Sequence, residues 1–219
     1  MCALTTPLVI EYVFEGHERG YNFTSPTRGY DDATLKAVWR QAMPRGQGWG
    51  AAAYGGARML KCFPLDERRV ALAEVTVTDL QDEHGRRGIR RAEVEVLSVE
   101  AAVERLKARL TGYPSEVQAN IDGRPTLRQW WHIVADALPG LKRDSQVILA
   151  RPYAGPTDWM LVEAFVLKVA LSRLIPLRRW GKITPFTTLA LDYRDESRLV
   201  AVPAQRFATD GKVSAIELR

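Results

Sequence analysis

Cysteine is scarce in this chain: two residues in 219, Cys2 and Cys62, form neither a disulfide framework nor a paired metal-ligand spacing. Histidine offers no more toward a metal site, since His17, His84 and His132 sit in different segments with no second ligand at helix or turn spacing. No metal or other cofactor is therefore expected. The opening twenty residues, MCALTTPLVIEYVFEGHERG, lack a basic stretch followed by a long apolar run, so neither a secretion signal nor a spanning helix is expected there. Acylation at Cys2 is a weak alternative, because one reversible chain binds membranes only marginally. Repeats, low-complexity tracts and a long basic tail are also missing. The expectation is a cytoplasmic protein.

What is present is an ample apolar fraction, 46% of the residues, enough for a sizeable core without cross-links. The formal charge is +5, with a pI of about 9.4. That excess permits an acidic protein or nucleic acid as partner.

Strand-like patterns open the chain. LVIEYVF (8–14) is rich in β-branched and aromatic residues, and the turn-rich stretch after it leads to an amphipathic helix, ATLKAVWRQAM (33–43). RMLKCFPL (58–65), RVALAEVTVTDL (69–80) and IRRAEVEVL (89–97) read as an antiparallel meander, the last with Ala92, Val94 and Val96 on a buried face and Arg91, Glu93 and Glu95 on a wet one. Val99, Ala102, Val103, Leu106 and Leu110 then recur at helical spacing.

The polar stretch TGYPSEVQANIDGRP (111–125) shows no periodicity and is the expected joint between subregions 1–110 and 126–219 of one compact domain. Beyond it come a helix capped by Thr126, a central strand in SQVILARPY (145–153), and a very apolar helix opening at Thr157 or Asp158. Glu163, Lys168 and Arg173 interrupt that helix, which argues for burial in a core rather than in a bilayer. TTLALDY (187–193) and RLVAVPA (198–204), joined by a turn, close the chain as two strands. The fold class expected is α+β: mostly antiparallel sheet packed with about four helices, one of them a very apolar central helix.

Three constellations bear on function. AMPRGQGWG (42–50) is Gly-rich and carries Arg45, Gln47 and Trp49, but it follows a helix instead of leading into one and lacks the Lys-Ser or Lys-Thr of a phosphate loop. It reads as a binding loop with Trp49 as a contact residue or a packing residue. Asp79, Asp82 and Glu83 precede Arg86, Arg87, Arg90 and Arg91 at the tip of the meander, either a recognition surface for a macromolecule or a solvated, self-paired turn. Cys62, with His132 as base, or the acidic loop, supplies the enzymatic alternative; a core thiol is the plainer account.

Near the C-terminus, LSRLIPLRRWGKITPFTTLALDY places a helix break at Leu174 and Pro176, arginines at 178 and 179, and Thr184, Phe186, Thr187 and Thr188 ahead of a strand. This order resembles the GTPase-associated adaptor family of bacterial conflict systems, in which a helix ends at Leu-Pro, an arginine follows and a strand begins Leu-Thr-Phe-Ser-Thr. Ile175 and Pro185 depart from that pattern. IEYVFEGHERGYNFTSPTRG (10–29) is similar to the first strand and turn of the family's N-terminal domain. The resemblance implies a non-catalytic adaptor that docks another protein, such as a small GTPase or another component of an NTP-dependent defence complex. No catalytic residues carry over. A basic module for nucleic acid or nucleotide is the alternative, and the enzyme a second one.

Overall fold

The computed structural model describes residues 8–14, 21–24, 38, 41–42, 58–77, 90–123, 125–140, 145–172, 174–175, 183–190, 197–204 and 215–218. Alternation in the first half produces the expected strands β1 (Leu8–Phe14), β3 (Arg58–Pro64), β4 (Arg69–Val77) and β5 (Arg90–Ser98), and the stretch read as turn-rich supplies a further one, β2 (Tyr21–Thr24). All pair antiparallel, and β4 matches both β3 and β5 along its length. Asp66 closes the β3–β4 connection by accepting from the backbone amides of Arg68 (2.9 Å) and Arg69 (2.8 Å) and from Arg69 Nε (2.6 Å).

Helix α1 (Val99–Thr111) follows β5 directly, because Ser98 serves both elements: its hydroxyl accepts from the Ala101 amide at 3.2 Å. The stretch expected to be an aperiodic joint instead carries a nine-residue helix, α2 (Ser115–Gly123). Its short polar sequence offers no apolar stripe; Val117 is buried, and the helix packs on α4. Helix α3 (Pro125–Ala137) starts with proline in its first turn, where no amide is needed, so Thr126 lies inside the helix rather than capping it.

Strand β6 (Val147–Arg151) leads to α4 (Pro156–Leu171), which begins after Gly155, not at Thr157 or Asp158. Gly155 has φ 134° and ψ 172°, backbone open to glycine, and Pro156 takes the first helical position. The helix stops at Leu171, well before the end of the apolar segment. Ser172 turns extended there, its hydroxyl donating to the Val169 carbonyl (2.7 Å) and accepting from the Leu174 amide (3.2 Å).

The closing strands differ from the expected hairpin. Strand β7 (Phe186–Thr187) is two residues long and runs parallel to β8 (Leu199–Pro203) and antiparallel to β3. Thr188 leaves the ladder because it is tied to β3: its amide donates to the Leu60 carbonyl (2.9 Å) and its hydroxyl accepts from the Leu60 amide (2.8 Å). Strand β6 is parallel to β8 and to β9 (Ile216–Glu217), a strand with no sequence signal of its own.

Among the described residues the sheet order is β2-β1-β5-β4-β3-β7-β8-β6-β9, an antiparallel majority joined through β7 to a parallel end. The fold is α+β. Odd-numbered Val147, Leu149, Leu199 and Ala201 belong to the main core, while Ile148, Ala150, Val200 and Val202 form a second cluster, so this parallel end is covered on both faces. The main core holds residues from both sides of 111–125, including Leu106, Val117, Trp130 and Phe165. Trp130 and Trp159 are core residues, as their helical phase predicts; the Trp159 indole donates to the Thr188 carbonyl at 2.7 Å. Among the described residues no helix is long and apolar enough to cross a membrane.

Candidate functional site

Register sets out the charged face of the antiparallel sheet. Leu60 on β3 lies opposite Glu74 on β4, Glu74 lies opposite Glu93 on β5, and Leu72 lies opposite Glu95. Because side chains alternate, these residues share one face, and Ala73, Ala92 and Val94 point to the other, where they are fully buried. Helix α1 roofs the charged face, and its packing leaves a cleft of about 420 Å³ lined by Leu60, Leu72 and Leu106 and by Glu74, Glu93, Glu95, Arg105 and Arg109.

Paired with Arg109 of this lining is Glu163 of α4, 3% exposed in its side chain. Oε1 of Glu163 accepts from Tyr113 Oη at 2.5 Å, Arg109 Nε at 3.0 Å and Arg58 Nη2 at 3.4 Å. Glu74 binds the same two arginines through its other contacts, Arg109 Nη1 at 2.8 Å and Arg58 Nη1 at 3.3 Å. Two carboxylates, two guanidinium groups and a phenol from β3, β4, α1, the loop after α1, and α4 thus form one network. A buried carboxylate needs such partners, since desolvating it alone costs several kcal/mol.

The network also fixes protonation. Burial by itself pulls the Arg109 guanidinium down, but the charges of Glu163 and Glu74 outweigh it and hold the group above its ordinary value. Burial, then the Glu163 charge, pushes the Tyr113 phenol well above its usual range. In both groups the surroundings favour the protonated form. Nearer the solvent, Arg105 Nη2 meets Glu95 Oε1 at 2.6 Å, and Arg91 Nη2 meets Glu93 Oε1 at 3.3 Å.

The residues singled out from sequence fare differently. Arg91 is exposed on β5 and paired with Glu93. Arg90 lies in β5 opposite Val77 and Tyr12, and only its backbone is described. Arg45, Gln47, Trp49, Arg86, Arg87, Asp79, Asp82 and Glu83 lie outside the described residues, as do Cys2, His17 and His84. Cys62 is 1% exposed, burial pushes its thiol up to about 12, and the void beside it is only about 10 Å³. Such burial disfavours the thiolate a nucleophile needs, while His132 lies exposed on α3. Among the described residues no group of three or more His, Cys, Asp or Glu side chains is arranged to hold a metal ion.

No family model, curated protein or solved structure matches the chain.

The sequence pointed to Glu163 only as a charge interrupting the apolar helix, and gave Arg109, Glu74, Arg58 and Tyr113 no part in a site. A signal for two of them was present. Arg109 follows Leu106 by three positions and Ala102 by seven, which puts it in phase with the buried stripe of α1. Glu163 stands in the middle of a helix whose neighbours are apolar on every side, a position an ionised carboxylate holds only with cations beside it.

Proposed function

We propose that this chain is a non-catalytic interaction component, an adaptor that docks another protein. Its C-terminal resemblance to GTPase-associated adaptors of bacterial conflict systems makes a small GTPase, or another component of an NTP-dependent complex, the partner class. One observation carries the choice of protein over nucleic acid. Arg58, Arg69, Arg91, Arg105, Arg109 and Arg151 are each engaged by an Asp or Glu carboxylate of the chain, which does not favour their use as a phosphate-binding stripe. Mixed charge of this kind selects and orients a protein partner more than it adds raw affinity. The burial of Cys62 speaks against the thiol enzyme.

Affinity capture after cross-linking, from the cells that make the protein, tests this reading. A discrete stoichiometric protein, retained by the wild type and reduced at least several-fold by Arg105→Glu, is the expected result. Steeply salt-dependent recovery of RNA or DNA, with no stoichiometric protein, overturns it in favour of a nucleic-acid module.

A further inference from the structure

We propose that α2 is a strap that opens as a unit while the rest of the fold stays closed, and that the Tyr113–Glu163 hydrogen bond is its latch. The device belongs to the fold and does not depend on the adaptor reading. Nine residues are fewer than a helix needs to hold its shape alone in water, so α2 persists only as far as its surroundings hold it. Few of its groups are held. Among its residues whose side chains are described, Ser115, Glu116 and Ala119 are exposed, Gln118 is half-buried, and Val117 is buried. The helix packs on α4 and more lightly on α3.

The helix is also insulated from its neighbours along the chain. Pro114 and Pro125 bracket it, and neither has an amide to carry a ladder of hydrogen bonds from α1 into α2 or from α2 into α3. Helix α1 has already ended, its cap made by the Gly112 amide donating back to the Arg109 carbonyl at 3.0 Å. The first turn of α2 then closes within its own segment, the Gln118 amide donating to the Pro114 carbonyl at 2.8 Å. Unwinding α2 therefore need not unwind either neighbour.

The latch lies just ahead of the helix. Tyr113, 8% exposed, stands between Gly112 and Pro114 and donates its hydroxyl to Oε1 of Glu163 at 2.5 Å. A hydrogen bond to a carboxylate is among the stronger single contacts of a side chain, and this one ties the start of the strap to the middle of α4. Glu163 does not depend on it, since Arg109 and Arg58 donate to the same oxygen. The charge network thus outlasts the opening of α2. From Trp159 to Leu171 every residue of α4 except Glu163 and Lys168 is apolar, so opening uncovers apolar surface that the closed fold conceals.

Native-state hydrogen exchange on the full chain, read by NMR at single amides, tests the strap. Expected is exchange at Ala119 and Asn120 at least about a hundredfold faster than at Leu72 and Ala73 of β4, once intrinsic rates are divided out. Two variants separate opening of α2 from unfolding of the whole. Tyr113→Phe removes only the hydroxyl and speeds exchange at Ala119 and Asn120 by about tenfold or more. Ile148→Val, in the second core cluster, loosens the fold as a whole. It speeds Leu72 and Ala73 by about two- to tenfold and leaves Ala119 and Asn120 unchanged, because the contacts of Ile148 survive the opening of α2. Equal protection of α2 and β4, or an α2 rate that rises with Ile148→Val, overturns the strap. An α2 rate indifferent to Tyr113→Phe overturns the latch.

Discussion

Replacing Glu163 by alanine removes the acceptor on which three donors converge. Tyr113 loses its 2.5 Å partner, Arg109 retains only Glu74, and Arg58 retains only Glu74 among the contacts described above. Arg58 is 34% exposed, so water takes over much of its share, whereas Arg109 is 23% exposed and regains less. Breaking a buried pair from one side costs about 3–5 kcal/mol, chiefly because the remaining charge lies unpaired in a poor solvent. For a chain of this size about 2–4 °C in Tm corresponds to each kcal/mol, so Glu163→Ala lowers Tm by roughly 6–20 °C. Glu163→Gln keeps an oxygen for Tyr113 and loses only the charge; about 1–3 kcal/mol is expected.

Thermal and urea unfolding measure these shifts, with Glu104→Ala as control, since Glu104 is 72% exposed in its pair with Lys107. The control moves stability by less than about 0.5 kcal/mol. The decisive comparison is the double variant Glu163→Met with Arg109→Met. Removing both charges together costs less than the sum of the single variants by about 1–3 kcal/mol, as coupled groups do. Additive losses, or a Glu163→Ala shift no larger than that of the control, refute the description of these residues as one network.

Three further outcomes follow from local features. The Cys62 thiol, raised by burial from 9.0 to about 12, binds its proton in the fold at pH values where the unfolded chain has lost it. Its contribution to stability is therefore full below pH 9 and falls as pH rises toward 12; Cys62→Ala flattens that alkaline slope in pH-dependent unfolding, and a thiol reagent labels Cys62 only on unfolding. Gly155→Ala meets no atom within 4 Å, so the φ of +134° alone sets its cost, about 1–3 kcal/mol by urea unfolding. Asp66 is held below its usual pKa first by the Arg68 amide and then by the Arg69 side chain. The order it gives the β3–β4 turn is lost as pH falls through that depressed value, and Asp66→Ala speeds hydrogen exchange at the Arg68 and Arg69 amides.

The elements that were legible in the sequence are those whose burial is one-sided. Alternation in β5, and the stripe Ala102–Leu106 in α1, repeat a period that only one geometry satisfies. Helix α2 was not legible, because nine residues anchored through Val117 contain too few apolar positions to show a period. Parallel pairing at the other end was hidden for a different reason. The runs VILA in β6 and LVAV in β8 are apolar on both faces, and such a run announces burial without announcing direction; the direction comes from α4 crossing between them and from Thr188 anchoring to Leu60.

The same distinction governs the site. Charges gathered in a turn, such as Asp79 to Arg91, draw the eye because they are adjacent in sequence, yet adjacency there says nothing about burial. Arg109 and Glu163 are isolated in sequence, 54 positions apart, and each occupies a helix position that packing had claimed for an apolar residue. An ionisable group can keep such a position only if its counter-charge arrives from another element, so each implies the other before any distance is measured. Their meeting between α1 and α4 holds the roof of the cleft over β3, β4 and β5, where Glu93 and Glu95 meet Arg91 and Arg105. One row of carboxylates thus serves two ends: the inner ones bind arginines shared between elements, and the outer ones, Glu95 and Glu93, each meet a more exposed arginine.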